Sequence, residues 1–180
     1  MLNKREIKRR ASQIALLAMD VDGVLTPGEI IIMESGEEVK IWNVKDRLGF
    51  YLARLAGLKL AWISARSCRQ VEEMAKELKL EGLYMDHKNK LAAFQDLMNR
   101  YNLGEHQIAY IGDDLVDIPV LKSAGLSICP SDAVEEVKRI VHFVIKTSGG
   151  TGCLREVVEL ILQSQGKWSD ILKKYYQYAG

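Results

Sequence analysis

The feature that most constrains this chain is an alternation of short apolar runs with longer stretches of helical spacing. Ile14–Met19, Leu58–Ile63, Gly82–Met85, Ile108–Ile111, Leu126–Cys129 and Val141–Ile145 predict strands. Between them, Arg47–Ala56, Cys68–Leu78, Lys90–Tyr101, Val116–Ser123 and Leu154–Ser164 predict helices, the first with Asp46 as N-cap and Gly57 as its stop. Strands joined through helices at this spacing give an α/β fold with a doubly wound parallel sheet of the Rossmann-like kind. One segment breaks the rule: Glu29–Met33 and Val39–Val44, around Glu34-Ser35-Gly36-Glu37, read as a protruding β-hairpin. A short basic helix is expected ahead of the first strand.

A length of 180 residues suffices for one core and hardly for two. Residues 1–180 are therefore expected to form a single domain. The aromatic, amphipathic tail from Gly166 to Gly180 is expected to pack on its own core or on a neighbouring subunit. The net charge of +1 gives no reason to expect nucleic acid or an anionic membrane as partner. No run approaches the ~18 apolar residues of a membrane span. Asp20 also interrupts the N-terminal apolar run too early for a signal peptide. Cys68, Cys129 and Cys153 are odd in number and scattered, as are His87, His106 and His142. That pattern argues against a disulfide framework or a zinc site and suits a reducing, cytoplasmic setting.

In doubly wound sheets, chemistry gathers beyond the carboxyl ends of the strands. Four polar groups fall there. The first strand runs into Asp20-Val21-Asp22-Gly23, the second into Ser64-Ala65-Arg66, and the third leads to Lys90 at the mouth of a helix. The fourth strand runs into Gly112-Asp113-Asp114 and on to Asp117. A carboxylate can attack phosphorus if a cation offsets the repulsion between the two anions, and Mg²⁺ accepts one or two carboxylates plus phosphate and water. Asp20 is the expected nucleophile and, with Asp113 and Asp22, an expected metal ligand. Asp22 is also the expected proton donor to the leaving oxygen and base for the hydrolytic water. Ser64 and Lys90 would hold the phosphoryl oxygens, while Asp114 and Asp117 would orient Lys90 or metal-bound water.

The set DVDGVLT, ISAR, NKLAAF and GDDLVD resembles the four motifs of haloacid dehalogenase-superfamily phosphatases. Together with the hairpin, NVKD and the segment Gly149-Gly150-Thr151-Gly152-Cys153-Leu154-Arg155-Glu156, it resembles the 3-deoxy-D-manno-octulosonate 8-phosphate (KDO 8-phosphate) phosphatases over about Leu16 to Lys167. The intervals from Asp22 to Ser64 and from Ser64 to Lys90 leave no room for a cap domain. The resemblance implies a haloacid dehalogenase-type core, Mg²⁺ dependence, and a homotetramer in which hairpins join and a neighbouring subunit helps cover each site. It also implies a phosphorylated sugar acid as substrate and a place in lipopolysaccharide synthesis. Thr26, Lys45, Arg66 and Arg155 are then the candidate substrate contacts, with an arginine at Arg66 leaning towards the octulosonate. Pro27, Ala65 and Arg47 depart from the family pattern, and Arg47 is expected to narrow or re-charge the substrate entrance. The rival readings are a 9-phosphate phosphatase for a nine-carbon keto acid, a broad sugar phosphatase, or a phospho-acceptor signalling module. Receivers of that last kind carry their acceptor aspartate after the third strand, whereas the acceptor candidate here follows the first.

Overall fold

A computed structural model of the chain describes residues 2–179. Eight strands and eight α-helices follow in the order α1 (Lys4–Ala11), β1 (Leu16–Met19), β2 (Ile31–Ile32), β3 (Glu38–Val39), α2 (Val44–Leu55), β4 (Lys59–Ile63), α3 (Arg69–Leu78), β5 (Gly82–Tyr84) and α4 (Lys90–Tyr101). They continue with β6 (Ile108–Ile111), α5 (Ile118–Ser123), β7 (Leu126–Cys129), α6 (Glu135–Ile140), β8 (Phe143–Val144), α7 (Cys153–Ser164) and α8 (Trp168–Ala179). Six strands form one sheet in the order β5-β4-β1-β6-β7-β8, every pairing parallel, while β2 and β3 form the separate antiparallel hairpin. The chain builds outward from β1 through β4 to β5, then returns to build the other half from β6. The β1/β6 boundary is therefore the topological switch point, where such sheets open a crevice.

Both faces of β1 are buried, and its side chains alternate between two cores. Leu17 and Met19 join the layer beneath α1, α2, α3, α7 and α8; Leu16 and Ala18 join the layer beneath α4, α5 and α6. β6 divides in the same way, with Ala109 and Ile111 on one face and Ile108 and Tyr110 on the other. That parity aims the next residue after β1, Asp20, towards α4.

Several local expectations needed correction. The cap of α2 is Asn43, whose side chain accepts from the Lys45 amide at 2.9 Å; Asp46 lies inside the first turn, buried and turned elsewhere. The segment expected as one helix from Val116 begins as a 3-10 turn over Leu115–Asp117 before α5. The last strand is reduced to two residues, and α6 was not foreseen. Gly57 does close α2, with a φ of 75°. The tail forms α8, which buries Ile171 and brings Tyr175 edge-on to Tyr51 of α2 with ring centroids 6.0 Å apart. Among the described residues, no helix is long and apolar enough to cross a membrane, and the three cysteines are free and buried.

Candidate active site

The ends of β1, β4 and β6 enclose a cleft of about 260 Å³ lined by Asp20, Asp22, Gly23, Gly28, Ser64, Ala65, Arg66, Asp113, Asp114 and Val116. Two turns bring its acids together. After β1 the chain reverses at Gly23 with a φ of 82°, and a Cβ there would collide with the Asp113 carboxylate. This loop is braced from behind by the Gly149–Gly152 segment. The Gly150 amide donates to Val24 O at 3.0 Å, and its backbone lies so close to Thr26 and Pro27 that only glycine fits. The Gly150 carbonyl accepts from Asn43 Nδ2 at 3.1 Å.

Lys90 opens α4 and is fully buried, its Nζ 2.8 Å from Asp20 Oδ2 and 2.7 Å from Asp117 Oδ1. Asp117 is saturated. Its Oδ1 also accepts from Tyr110 Oη at 2.7 Å, and its Oδ2 accepts from the amides of Asp113 and Asp114 at 3.0 and 3.3 Å. Asp117 therefore fixes both the lysine and the loop that carries Asp113. Asp114 lines the cleft beside Asp113, and its Oδ1 caps the following turn by accepting from the Leu115 amide at 2.6 Å; among the described residues the ion pairs of Lys90 are with Asp20 and Asp117. Ser64 is buried at the end of β4, its Oγ accepting from the Arg66 amide at 3.2 Å.

Among the described residues, Asp20, Asp113 and Asp117 are the acids whose oxygens converge, all within 4.8 Å of one another. Three carboxylates against one lysine are under-compensated. Burial, then Asp117, pushes Asp20 up to about 7 in spite of Lys90; burial, then Asp20 and Asp117, pushes Asp113 up to about 8. Asp113 Oδ1 is buried and has no hydrogen-bond partner. An all-oxygen set with a vacant buried lone pair and excess negative charge fits a hard divalent cation, with Asp20 and Asp113 the residues free to hold it.

Asp22 is a correction. Its carboxylate does not join the trio but faces Lys40 and Thr26, at 2.5 and 3.2 Å, so the geometry does not support a metal-ligand part for that side chain. Lys40, buried immediately after β3, has no counterpart in the sequence reading, since one lysine beside a hairpin carries no signal in sequence. Thr26 is within reach of Asp22 rather than open to the cleft. Arg66 lines the cleft and pairs with Glu38 at 2.9 Å. Lys45 and Arg155 are not among the residues lining it. Arg155 is turned to Glu159 at 2.6 Å and lies over the Trp168 ring, while its amide donates to Asp46 Oδ1 at 2.9 Å. NVKD and the glycine-rich segment thus meet as a brace between α2 and α7. Arg47 pairs with Glu77 and touches Met74 on α3, away from the cleft, so it neither narrows nor re-charges the entrance within one chain.

A switch-point cleft with an aspartate after the first strand, an acid after the fourth core strand, and a buried lysine between them defines a haloacid dehalogenase-like hydrolase. The model of that family matches residues 82–156. The chain is 38% identical over 162 residues to the 3-deoxy-D-manno-octulosonate 8-phosphate phosphatase KdsC of Shigella flexneri, covering 90% of this chain and 86% of the relative. The crystal structure of the phosphatase of that name from Moraxella catarrhalis, in complex with a magnesium ion, a phosphate ion and KDO, superposes with a TM-score of 0.93 at 35% identity. That match covers 96% of this chain and 99% of the other. The Yersinia pestis phosphatase superposes at a TM-score of 0.89 with 37% identity, covering 91% and 89%. The chain belongs to the 3-deoxy-D-manno-octulosonate 8-phosphate phosphatase family.

Proposed function

We propose that this protein is a Mg²⁺-dependent phosphatase that hydrolyses KDO 8-phosphate through an aspartyl phosphate on Asp20. The observation that carries this reading is the pairing of Asp20 with Asp113 across the switch point, with Asp113 Oδ1 left unpartnered. Mg²⁺ held by Asp20 and Asp113 would screen the carboxylate and phosphate charges from each other. Asp20 attacks phosphorus from the floor of the cleft, while Lys90, fixed by Asp117, and Ser64 hold the phosphoryl oxygens as charge develops on them. The P–O bond to the sugar breaks, and the departing oxygen takes its electron pair and a proton from Asp22. Asp22 then removes a proton from the water that attacks the phosphoenzyme.

Arg66, at the cleft rim, is the cation best placed for the sugar-acid carboxylate. The hairpin leaves Ile30, Ile31, Ile32, Met33, Val39 and Ile41 exposed, an apolar surface that suits self-association into the homotetramer the resemblance implies. The single chain does not enclose the cleft, so a neighbour covering it would exclude water. The product would feed lipopolysaccharide synthesis in the cytoplasm. A turnover panel with Mg²⁺ tests the reading: KDO 8-phosphate should have the highest kcat/KM. Preference for a nine-carbon keto acid 9-phosphate, or equal use of simple sugar phosphates, would replace this substrate.

A further inference from the structure

Tyr110, the third residue of β6, carries a hydroxyl into the layer beneath α4 and α5, where it joins a cluster that includes Ala18, Ala93 and Phe94. The residues in register with it on either side, Ala18 of β1 and Ser127 of β7, are small and leave room for the ring. A phenylalanine would fill the same space, and a fully buried hydroxyl costs free energy unless it is hydrogen-bonded. The bond it makes is specific. Tyr110 Oη donates to Asp117 Oδ1 at 2.7 Å, the same oxygen that accepts from Lys90 Nζ at 2.7 Å.

Two donors therefore converge on one oxygen of a carboxylate that is not free to turn. Asp117 Oδ2 is held by the amides of Asp113 and Asp114 at 3.0 and 3.3 Å. Lys90 Nζ stands between Asp117 Oδ1 at 2.7 Å and Asp20 Oδ2 at 2.8 Å, so the relative pull of the two carboxylates decides its place. A second donor on Oδ1 offsets part of that oxygen's charge and weakens its hold on the ammonium, in a buried setting where such differences are large. We propose that Tyr110 is a positioning residue for Lys90, acting through Asp117. Its hydroxyl limits the pull of Asp117, so that the ammonium stays forward beside Asp20, where the phosphoryl oxygens gather charge. The inference rests on the phosphatase reading and extends the catalytic apparatus one residue further, into the core behind Asp117. No proton moves on Lys90, Asp117 or Tyr110 in this role.

Inhibitors of different geometry separate this role from a merely structural one. Inorganic phosphate is tetrahedral like the ground state, whereas vanadate on a carboxylate takes the five-coordinate geometry of the transfer. An inhibition constant, unlike a rate, does not depend on the fraction of the sample that is folded. For Tyr110→Phe with Mg²⁺, kcat/KM should fall about 10-fold on KDO 8-phosphate and on p-nitrophenyl phosphate alike, since both esters present the same phosphoryl oxygens. The Ki of vanadate should rise about 10-fold while that of phosphate changes less than about 2-fold. Site-specific replacement of Tyr110 by 3-fluorotyrosine keeps the ring and makes the hydroxyl a stronger donor. It should tighten vanadate relative to phosphate, and it carries the test if Tyr110→Phe does not fold. A ratio of the two constants that stays at the wild-type value, or moves the opposite way, would overturn the role of Tyr110 and leave the phosphatase reading intact. Wild type that neither hydrolyses the two esters nor is inhibited by vanadate would overturn both.

Discussion

Lys90 reaches Asp20 across 2.8 Å inside the protein, joining the first residue of α4 to the residue that follows β1. The contact is reinforced by Asp117 at 2.7 Å, so the ammonium lies between two carboxylates with no share of solvent. Removing one member of such a buried group leaves an uncompensated charge. Lys90→Met should therefore abolish turnover and also lower unfolding free energy by about 3–5 kcal/mol, read from urea denaturation. A variant as stable as wild type would show that the ion pair is not formed.

The acidic trio predicts a linked effect of metal and pH. A cation ligated by Asp20 and Asp113 needs both ionised, and burial and crowding push Asp113 up to about 8. Mg²⁺ should raise the Tm of wild type, and by more at pH 8 than at pH 6, because fewer protons must be displaced. Asp113→Asn should lose most of that rise, while its metal-free Tm stays level or increases through relief of carboxylate crowding. A Mg²⁺ shift that survives this substitution would remove Asp113 as ligand.

Asp46 gives a prediction away from the chemistry. Burial, only partly offset by the backbone amides of Arg155, Leu154 and Gly152, pushes its carboxyl up to about 6, and its Oδ2 has no hydrogen-bond partner. A raised carboxyl keeps its proton in the folded chain after the unfolded chain has lost it, so stability declines as pH rises from near 4 to near 6. Relative to Asp46→Asn, wild type should lose about 3 kcal/mol over that interval and then level off. Parallel stability curves for the two proteins would contradict the assignment.

The exposed hairpin predicts its own variant. Replacing Ile30 and Ile32, which are 56% and 65% exposed, with glutamate should leave the fold intact by circular dichroism and reduce the mass measured by light scattering to that of a smaller species. An unchanged mass would move the association surface elsewhere.

How much was legible in the sequence depended on the range of each contact. Asp20, Asp113, Lys90 and Ser64 could be read because each follows a strand or opens a helix, and parallel topology collects those ends on one edge. The strands themselves were clear where both faces are buried, as in β1 and β6. Asp46 was misread because Asp is a good N-cap, yet Asn43 fills that place and Asp46 instead receives the amide of Arg155, 109 positions along the chain. Lys40 and Arg155 failed for a related reason. A long charged side chain near a motif has several partners within reach, and only the folded hairpin and the α7–α8 packing decide among them. Helix α6, six residues long, offers too few turns for its periodicity to stand out.

The central claim is that Asp20 itself captures phosphorus. Rapid quench of enzyme with KDO 8-phosphate and Mg²⁺, followed by borohydride reduction and peptide mass spectrometry, tests it directly. The account predicts conversion of the aspartate at position 20 to homoserine, absent from Asp20→Asn and from enzyme without substrate. Reduction at another residue, or turnover by Asp20→Asn at the wild-type rate, would contradict it.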